Sequence, residues 1–272
     1  MIFIIGSSGR LGSALTSFFG EEALGIDRSV YQDWWRTSEK KKIEKYFLKL
    51  EDSSNSILIA AGLLDPSFTE AEMLRVNYLM PKNIIEVARS LNLPVVTFGT
   101  ISEAFQAESN PYLRSKNALG EYISTSRQEE DLITHIRLHT LYGGGDPKPY
   151  MFLGQIMESL ILRKPLNMTG GRQLREYHYV SDDVVAINQI LKSKFRGVIN
   201  LNHGQPITLR RLAENLFSRF DSDHLLCLGL LPEPTSENYT QFYLPQAPYR
   251  DVVFQTSLNA IGDYLERSMR KG

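Results

Sequence analysis

Gly6-Ser7-Ser8-Gly9-Arg10-Leu11-Gly12 directly follows the apolar run Met1 to Ile5 and precedes a stretch that can be helical. In a strand–turn–helix junction of this kind, the first glycine permits a tight turn, the second lets the backbone approach a pyrophosphate, and the third lets helix pack against strand. The spacing Gly-x-x-Gly-x-x-Gly differs from the more usual Gly-x-Gly-x-x-Gly, and an ordinary strand–helix turn is the alternative. The stretch predicts a dinucleotide phosphate site at Gly6, Ser8, Gly9, Arg10, Leu11 and Gly12.

Composition limits the classes of partner. With 272 residues, 42% of them hydrophobic and 22% charged, the chain can bury one sizeable core with a smaller appended lobe. The formal net charge is -1, so there is no global positive field to attract nucleic acid or an anionic membrane surface. An anionic ligand must therefore be captured locally, and we expect a small-molecule substrate.

Cysteine usage and the N-terminal run suggest a compartment. The single cysteine, Cys227, lies in the apolar run 225–231, so the sequence provides neither a disulfide framework nor a thiol cluster for a metal ion. The apolar run Met1 to Ile5 is too short to span a bilayer and continues straight into the glycine turn. We expect a cytoplasmic protein with no metal site, whose first buried strand is this run.

Further apolar runs alternate with segments of helical periodicity. This alternation predicts an α/β fold with parallel strands joined by crossover helices. The span 70–91 has apolar residues at helical spacing, and Pro81 within it either kinks the helix or starts a second one. The apolar, β-branched runs that predict strands are 57–60, 95–98, 133–138 and 198–201.

A further strand is predicted at 23–26, ending in Asp27-Arg28. In dinucleotide-binding folds an acidic residue at this point accepts hydrogen bonds from the adenosine ribose, whereas a nearby arginine can pair with a 2′-phosphate. The two neighbours therefore favour opposite cofactors, NAD and NADP, and the choice stays open. A strand-end turn aspartate beside a solvated arginine is the structural alternative.

Tyr112 and Lys116 stand four residues apart, on one face of a helix predicted over 111–124. A phenol titrates near pH ~10 in water, and an adjacent cation favours the phenolate, so this pair can form an acid that works nearer neutrality. Lys116 can also hydrogen-bond a nicotinamide ribose. A buried strand predicted over 95–100 ends in Thr100, a candidate to hydrogen-bond a substrate oxygen or the Tyr112 hydroxyl, with Ser102 in reserve.

At this point the chain resembles the extended short-chain dehydrogenase/reductases, a family that includes nucleotide-sugar epimerases, dehydratases and 4-ketoreductases. The stretch Asn110-Pro-Tyr112-Leu-Arg-Ser-Lys116 is similar to the family's Ser-Pro-Tyr-x-x-x-Lys box. The other matching segments, in chain order, are Gly6 to Gly12, Leu58-Ile-Ala-Ala61-Gly, Arg75-Val-Asn77, Ile136-Arg137-Leu-His-Thr140-Leu-Tyr-Gly143, Glu176-Tyr-His178-Tyr-Val-Ser-Asp182-Asp183, Gly197-Val-Ile-Asn-Leu and Thr208-Leu-Arg-Arg-Leu-Ala.

The resemblance implies a Rossmann doubly wound parallel sheet with a small C-terminal substrate-binding lobe. It divides the chain into 1–142 with roughly 176–203 for the dinucleotide domain, and 143–175 with 204–272 for the lobe. It implies Thr100, Tyr112 and Lys116 as the catalytic set. Around the cofactor it places the glycine-turn residues, Asp27 or Arg28, Ala60, Ala61, Gly62, Asn77, Tyr112 and Lys116.

The candidate substrate-binding residues are Thr140, Arg175, His178 and Arg250. Thr140 replaces a family asparagine that commonly contacts the sugar-nucleotide pyrophosphate. Arg175, together with Arg172, could clamp a diphosphate through forked N–H groups, and surface salt bridges are the alternative. His178 either contacts substrate or is a packed, hydrogen-bonded structural histidine. Arg250 resembles a C-terminal family arginine near the nucleotide.

These observations together predict an NAD(P)-dependent reductase acting on the 4-keto group of a nucleotide-activated deoxysugar. Dehydratase members carry an Asp-Glu pair after the catalytic threonine, whereas Ile101-Ser102 stand here, so we do not expect dehydration. An epimerase with retained NAD would use the same three catalytic residues and is the enzymatic alternative. The alternative outside enzymes is a cofactor-binding sensor or scaffold. The resemblance also suggests a homodimer.

Overall fold

The predicted apolar runs pair into a single parallel sheet in the computed structural model, which describes residues 1–48, 55–105, 110–126, 128, 130–235 and 237–270. The strand order is β10-β5-β4-β3-β1-β2, and all five pairings are parallel. The strands are β1 (Ile2–Ile5), β2 (Ala23–Ile26), β3 (Ser56–Ile59), β4 (Val95–Thr100), β5 (Ile133–Leu138) and β10 (Gly197–Asn200). The α/β fold class expected from the sequence is confirmed.

The register of the sheet aligns the ends of its central strands. Ile5 is paired with Ile26 on one side and with Ile59 on the other, so β1, β2 and β3 end at one level. From β1 the chain first moves to one side and then crosses to the other, which makes the β1/β3 junction the switch point of the sheet. Ligands of doubly wound folds bind at the carboxyl ends of the strands at such a point.

Helices connect these strands. They are α1 (Arg10–Phe19), α2 (Arg28–Tyr31), α3 (Lys40–Leu48), α4 (Glu70–Leu74), α5 (Met80–Ser90) and α6 (Pro111–Thr125). Trp34 and Phe47 belong to the buried core, and Trp34 makes edge contacts with Tyr31, Tyr46 and Phe47. The core that the sheet shares with these helices therefore includes an aromatic cluster.

Pro81 neither ends nor visibly interrupts the helical run from Glu70 to Ser90. The five residues Arg75–Leu79 form a π-helical turn between α4 and α5, and Pro81 follows as one of the first residues of α5. Because Pro81 has no N–H, it is tolerated where a new hydrogen-bonding pattern begins. The widened turn contains Asn77, which is buried.

Contacts divide the chain into two units, Met1–Leu138 with Ile187–Leu201 and His139–Ala186 with Asn202–Gly272. The second unit has its own apolar core, which includes Tyr142, Ile156, Leu216 and Leu265. Its remaining strands are β6 (Thr140–Tyr142), β7 (Leu166–Asn167), β8 (Leu174–Arg175), β9 (Tyr177–Tyr179), β11 (Ile207–Thr208) and β12 (Leu226–Cys227). The helices are α7 (Phe152–Leu162), α8 (Val180–Lys192, which continues into the first unit), α9 (Leu209–Arg219) and α10 (Leu258–Met269).

Within the described ranges, no helix combines the length and the apolar character that crossing a bilayer requires.

Candidate functional site

The glycine turn between β1 and α1 is tightly constrained by the fold itself. Gly6 has φ +85°, and a Cβ at this position would lie 2.4 Å from the backbone nitrogen of Ala61. A Cβ on Gly12 would lie 2.0 Å from the carbonyl oxygen of Gly6. Both distances are shorter than any real Cβ contact, so the close crossing of α1 over the turn requires glycine at these two positions.

Gly9 is different, because the protein leaves room for a side chain there. It has φ −74°, and its nearest neighbour to an added Cβ is the Gly6 carbonyl oxygen at 3.4 Å. Gly9 is the N-cap of α1 and donates its own N–H to Gly6 at 3.0 Å. A helix N-terminus presents backbone N–H groups and a positive dipole end, which suits a pyrophosphate. The turn therefore fits the phosphates of a dinucleotide.

Asp27 and Arg28 directly follow the end of β2, beside this turn. Asp27 is the N-cap of α2, and its Oδ1 accepts hydrogen bonds from the N–H of Ser29 at 2.8 Å and the hydroxyl of Ser29 at 2.6 Å. The bond from the Ser29 hydroxyl and that from its N–H lower the pKa of Asp27, so the group is a carboxylate at neutral pH. Both Asp27 and Arg28 are exposed. Either side chain remains available to an adenosine ribose.

Asn77 ties the loop after β3 to the helix that carries Tyr112. Its Oδ1 accepts from the N–H of Leu63 at 2.8 Å, and its Nδ2 donates to the carbonyl of Leu63 at 2.8 Å and to the hydroxyl of Ser115 at 2.9 Å. These bonds fix Gly62, the neighbour of Leu63. The amide group of Asn77, predicted from the resemblance to lie at the cofactor, thus binds the protein at both ends and holds the loop at Leu63 to α6.

Lys116 projects from α6 into the interior. It is 8% exposed, and its Nζ donates to the carbonyl of Phe98 on β4 at 2.8 Å. Burial lowers the pKa of Lys116, and the negative charge of Glu103 opposes that decrease. The Nζ lies only 3.6 Å from the place where a Cβ on Gly62 would stand, so the ammonium group and the cofactor loop are neighbours.

Tyr112 lies in the first turn of α6, four residues before Lys116. The N-cap Asn110 accepts a hydrogen bond from its N–H at 2.8 Å, and Pro111 begins the helix. The helix confirms the predicted segment and extends it by one residue, to Thr125. Tyr112 is half-buried. The four-residue spacing places Tyr112 and Lys116 on the same face of α6, as expected.

Thr100 is the last residue of β4, as the sequence predicts. Its N–H donates to Oε1 of Glu103 at 2.7 Å, and its Oγ1 accepts a bond from the N–H of Ser102 at 3.3 Å. The Thr100 hydroxyl is thus partly held by the following turn. Ser102, the reserve candidate, is half-buried in that turn.

The sequence does not single out three residues near Lys116 that are functional candidates in the structure. They are Glu103, His135 and Arg137, which form one buried cluster in the first unit. The sequence signal is the placement of polar residues at alternating positions in otherwise apolar strands, Thr97 on β4 and His135 with Arg137 on β5.

In the second unit, the four substrate candidates have different surroundings. Thr140 belongs to β6 and pairs with Tyr177, and its N–H donates to the carbonyl of Glu176 at 3.3 Å. Arg250 is exposed. Arg175 forms an ion pair with Glu237, and the neighbouring Arg172 one with Glu233.

His178 is fully enclosed and bonded at both ring nitrogens. Its Nδ1 donates to Asp183 at 2.6 Å and its Nε2 to Glu176 at 3.0 Å. Glu176 also accepts from the N–H groups of His203 at 2.7 Å and Gly204 at 3.1 Å. The structural alternative, a packed and hydrogen-bonded histidine, describes this position, so we leave His178 out of the proposed substrate contacts.

The charges of this cluster follow from its contacts. Burial would lower the pKa of His178, but Asp183 and Glu176 outweigh it and raise that pKa to about 9. Burial would raise the pKa of Glu176, but the hydrogen bond from His178 and the nearby histidines lower it to about 2. Burial lowers the pKa of both His139 and His203 to about 4. At neutral pH His178 is therefore an imidazolium between two other, neutral imidazoles.

Among the described residues, His139, Glu176 and His178 have donor atoms within 4.8 Å of one another, as metal ligands do. The rings of His139 and His178 are stacked, however, with centroids 5.0 Å apart and planes 10° from parallel. A metal ion must lie near the plane of each imidazole it binds, and near-parallel stacked rings direct their lone pairs side by side. The arrangement is that of a hydrogen-bonded cluster, and we assign no metal to it.

Comparison with known proteins gives the family. Residues 2–202 match the model of the NAD dependent epimerase/dehydratase family. Among solved structures, MoeE5 in complex with UDP-glucose and NAD is 18% identical, with 99% of each chain covered and a TM-score of 0.73. A dTDP-4-dehydrorhamnose reductase from Clostridium acetobutylicum is 14% identical (98% of each chain, TM-score 0.74). A UDP-N-acetylglucosamine 4-epimerase from Methanobrevibacter ruminantium is 16% identical (99% of this chain, 96% of the other, TM-score 0.74).

The chain belongs to the NAD-dependent epimerase/dehydratase family, which confirms the resemblance found in the sequence and makes the protein an NAD-dependent enzyme. The solved structures show the same fold along nearly the whole chain.

Replacing Gly9 by alanine is expected to weaken NAD binding at least about tenfold, or about 1.4 kcal/mol, because the methyl group occupies the approach to the pyrophosphate. The fold has room for that methyl group, so the melting temperature without NAD should stay unchanged. Titration calorimetry with NAD and thermal unfolding measure the two quantities. Gly12→Ala is the matched control and should unfold at lower temperature. Unchanged NAD affinity in Gly9→Ala would contradict the placement of the pyrophosphate.

The His178 cluster predicts a loss of stability in alkali. The pKa of His178 is raised from 6.5 to about 9, so its contribution is fully present below pH 6.5 and is lost as the pH rises through 9. That contribution is on the order of 3 kcal/mol. Urea denaturation at pH 6.5, 8 and 10 should show wild type and His178→Gln converging as the pH rises. His224→Gln, at an exposed position, should follow the wild-type curve. A constant gap between wild type and His178→Gln would mean that His178 carries no charge.

Proposed function

We propose that this member of the NAD-dependent epimerase/dehydratase family reduces a keto group with NADH or NADPH, and that its substrate is the 4-keto form of a nucleotide-activated deoxysugar. The observation that carries the proposal is the placement of Lys116. Its buried ammonium group lies between the carbonyl of Phe98 and the loop at Gly62, on the helix face that also carries Tyr112. A tyrosine beside a buried cation is an acid suited to protonating a carbonyl oxygen.

The residues present fit the cofactor that the family uses. The glycine turn with Gly9 would hold the pyrophosphate, Asp27 or Arg28 the adenosine ribose, and Ala60, Ala61 and Gly62 would line the nicotinamide half. Lys116 would hydrogen-bond the nicotinamide ribose. When bound in its reduced form, the nicotinamide supplies a hydride to the carbonyl carbon.

The side chains of this chain would do the remaining work. Tyr112 would donate its phenolic proton to the carbonyl oxygen as negative charge develops there. Lys116 would favour the resulting phenolate, which brings the pKa of Tyr112 towards the working pH. Thr100 would hydrogen-bond the same oxygen and orient it. Proton donation of this kind is worth ~10²–10⁴ in rate, or roughly 3 to 5 kcal/mol of the barrier.

Epimerisation through a transient keto intermediate is the second candidate, because it uses the same three residues and a 4-epimerase shares the fold over nearly its whole length. A reductase needs one hydride and one proton transfer, whereas an epimerase needs a second productive orientation of the sugar. Dehydration requires an additional acid and base. The nearest carboxyl group after Thr100 belongs to Glu103, whose oxygens are buried and bonded to Thr100, His135 and Arg137.

For the substrate we assign Arg175 and Arg172 to the diphosphate. Each is held by a glutamate from the segment 232–248, Arg175 by Glu237 and Arg172 by Glu233. A diphosphate offers the same bidentate acceptor geometry with more negative charge, so it would displace the glutamates. Thr140 and Arg250 remain further candidates in the second unit. We also propose that the enzyme works in the cytoplasm and as a homodimer.

Absorbance of reduced nicotinamide at 340 nm tests the reaction directly. NADH and NADPH are mixed with the protein and a panel of nucleotide-4-keto-6-deoxysugars. Loss of absorbance with one sugar establishes reduction and identifies substrate and cofactor together. Conversion of a 4-hydroxy nucleotide sugar to its C4 epimer with NAD, without net formation of NADH, would establish the epimerase instead. Binding of either cofactor with no conversion of any sugar in the panel would contradict the proposed substrate class.

Tyr112→Phe is expected to lower kcat by about 10²–10⁴, because it removes only the phenolic proton. The affinity for NADH should stay within about twofold, and kcat and kcat/KM should fall together. Steady-state kinetics and calorimetry measure these values. Wild-type turnover in Tyr112→Phe would rule out this tyrosine as the acid.

Arg175→Met is expected to weaken binding of UDP and dTDP about tenfold or more, whereas Glu237→Gln should strengthen it several-fold by releasing the guanidinium group. The matched control is Arg210→Met, since Arg210 is exposed and pairs with Glu214 in the same unit. This control should bind both nucleotides as wild type does. If Arg175→Met and Arg210→Met behave alike in calorimetry, Arg175 does not contact the diphosphate.

A further inference from the structure

Glu103 is a buried residue whose carboxyl group bonds to the backbone of Thr100, one of the proposed catalytic residues. Its side chain is 1% exposed, in the short 3₁₀ turn Ile101–Phe105 that follows β4. Oε1 accepts from the N–H of Thr100 at 2.7 Å. Oε2 bonds to Nε2 of His135 and accepts from Nε of Arg137, both at 3.0 Å. Burying a carboxylate is costly unless it is paired and hydrogen-bonded, and here both oxygens have partners.

Two glycines make room for this carboxylate. A Cβ on Gly99 of β4 would lie 2.2 Å from Oε1, and a Cβ on Gly120 of α6 would lie 2.6 Å from Oε2. Gly99 pairs with Arg137 in the sheet, and Thr97 pairs with His135. The carboxylate therefore fills the space of a missing side chain on the sheet and of another on the helix. Thr97 completes the cluster, with its hydroxyl 2.7 Å from Nδ1 of His135.

The position along α6 connects Glu103 to the catalytic face. Tyr112, Lys116 and Gly120 follow one another at intervals of four residues, so they lie on one face of the helix. The Glu103 carboxylate lies against Gly120, which is one helical turn beyond Lys116. Lys116 is in turn one helical turn beyond Tyr112. Burial lowers the pKa of Lys116, and Glu103 is the charge that opposes the decrease.

We propose that Glu103 is a positioning residue, the buried counter-charge that keeps Lys116 an ammonium ion and thereby sets the acidity of Tyr112. The same carboxylate holds the backbone of Thr100 at the strand end. This inference rests on the proposed roles of Tyr112 and Lys116, but it does not depend on the identity of the substrate.

The other charged groups on the elements packed against α6 form ion pairs and hydrogen bonds of their own. His135 and Arg137, on β5, face Glu103 directly. On α4, Glu70 pairs with Arg114 at the surface. On α5, Arg89 and Glu86 contact Tyr122, three turns along the helix from Tyr112. Burial lowers the pKa of Lys116, and the negative charge of Glu103 acts in the opposite direction.

The test is a spectroscopic titration of Tyr112 that needs no substrate. Tyrosinate absorbance at 295 nm is followed against pH in the NAD complex, and the curve of Tyr112→Phe is subtracted to isolate Tyr112. The same subtraction is made with Glu103→Gln and Glu103→Gln/Tyr112→Phe. We expect Tyr112 of wild type to titrate below the ordinary value near ~10 and Glu103→Gln to raise its midpoint by about one pH unit.

Two variants separate charge from structure. Glu103→Asp keeps the charge and should restore the wild-type midpoint. Thr97→Val removes an uncharged member of the cluster, so it should lower the melting temperature and leave the midpoint unchanged. An unchanged midpoint in Glu103→Gln overturns the proposal whether or not any sugar is turned over. Absence of turnover with a shifted midpoint would overturn the proposed substrate and leave the role of Glu103 standing.

A second measurement applies if Glu103→Gln folds poorly. In a double-mutant cycle of Glu103→Gln and Lys116→Met, unfolding free energies should be non-additive, because removing both charges leaves neither one unpaired. If Glu103→Gln alone does not fold while the double variant does, the counter-charge role is supported. Additive effects, or a double variant that also fails to fold, would leave Glu103 with a structural role only and overturn the proposal.

Discussion

The close crossing of α1 over the turn after β1 is the constraint on which the first unit depends. A Cβ on Gly12 would lie 2.0 Å from the carbonyl oxygen of Gly6, so the helix begins almost in contact with the end of the strand. That contact fixes where the first N–H groups of α1 lie relative to the sheet. Since Ile5 is in register with both Ile26 and Ile59, the residues that follow β2 and β3 reach the same level. One steric requirement thus gathers Asp27 and Ala60 around the glycine turn.

Much of this first unit could be predicted because its central strands β1, β3, β4 and β5 are largely buried and read as continuous apolar runs. The contacts at strand ends were less predictable. β4 ends at Thr100, as the sequence predicts, but the Thr100 N–H is there bonded to a side chain three residues ahead, which the sequence does not indicate. The π turn before Pro81 was also beyond the sequence, since it places Asn77 between the loop at Leu63 and Ser115 on α6, partners 14 and 38 residues away. Local propensity contains no information on such partners.

The polar clusters were the hardest part to predict. His178 could be read as a ligand or as a structural histidine, and its neighbours in sequence do not decide between the two. The decision comes from Asp183, five residues away on the next helix, and from Glu176, which the backbone of His203 and Gly204 holds in place. The sequence does not single out Glu103, for a related reason. A lone glutamate after a strand usually faces solvent, and only the missing side chains of Gly99 and Gly120 create a space for it.

Each unit therefore buries a carboxylate against an imidazole, but the two clusters differ in what lies beside them. In the second unit, Glu176 and Asp183 both pair with the ring of His178, and all three side chains are buried. In the first unit the carboxylate of Glu103 lies one helical turn from Lys116. A buried ion pair rarely stabilises a fold more than well-packed apolar residues of the same volume would. Stability alone therefore does not account for a carboxylate in this place. A leucine could fill the space between Gly99 and Gly120, but it could not hold the N–H of Thr100 or keep a buried lysine charged.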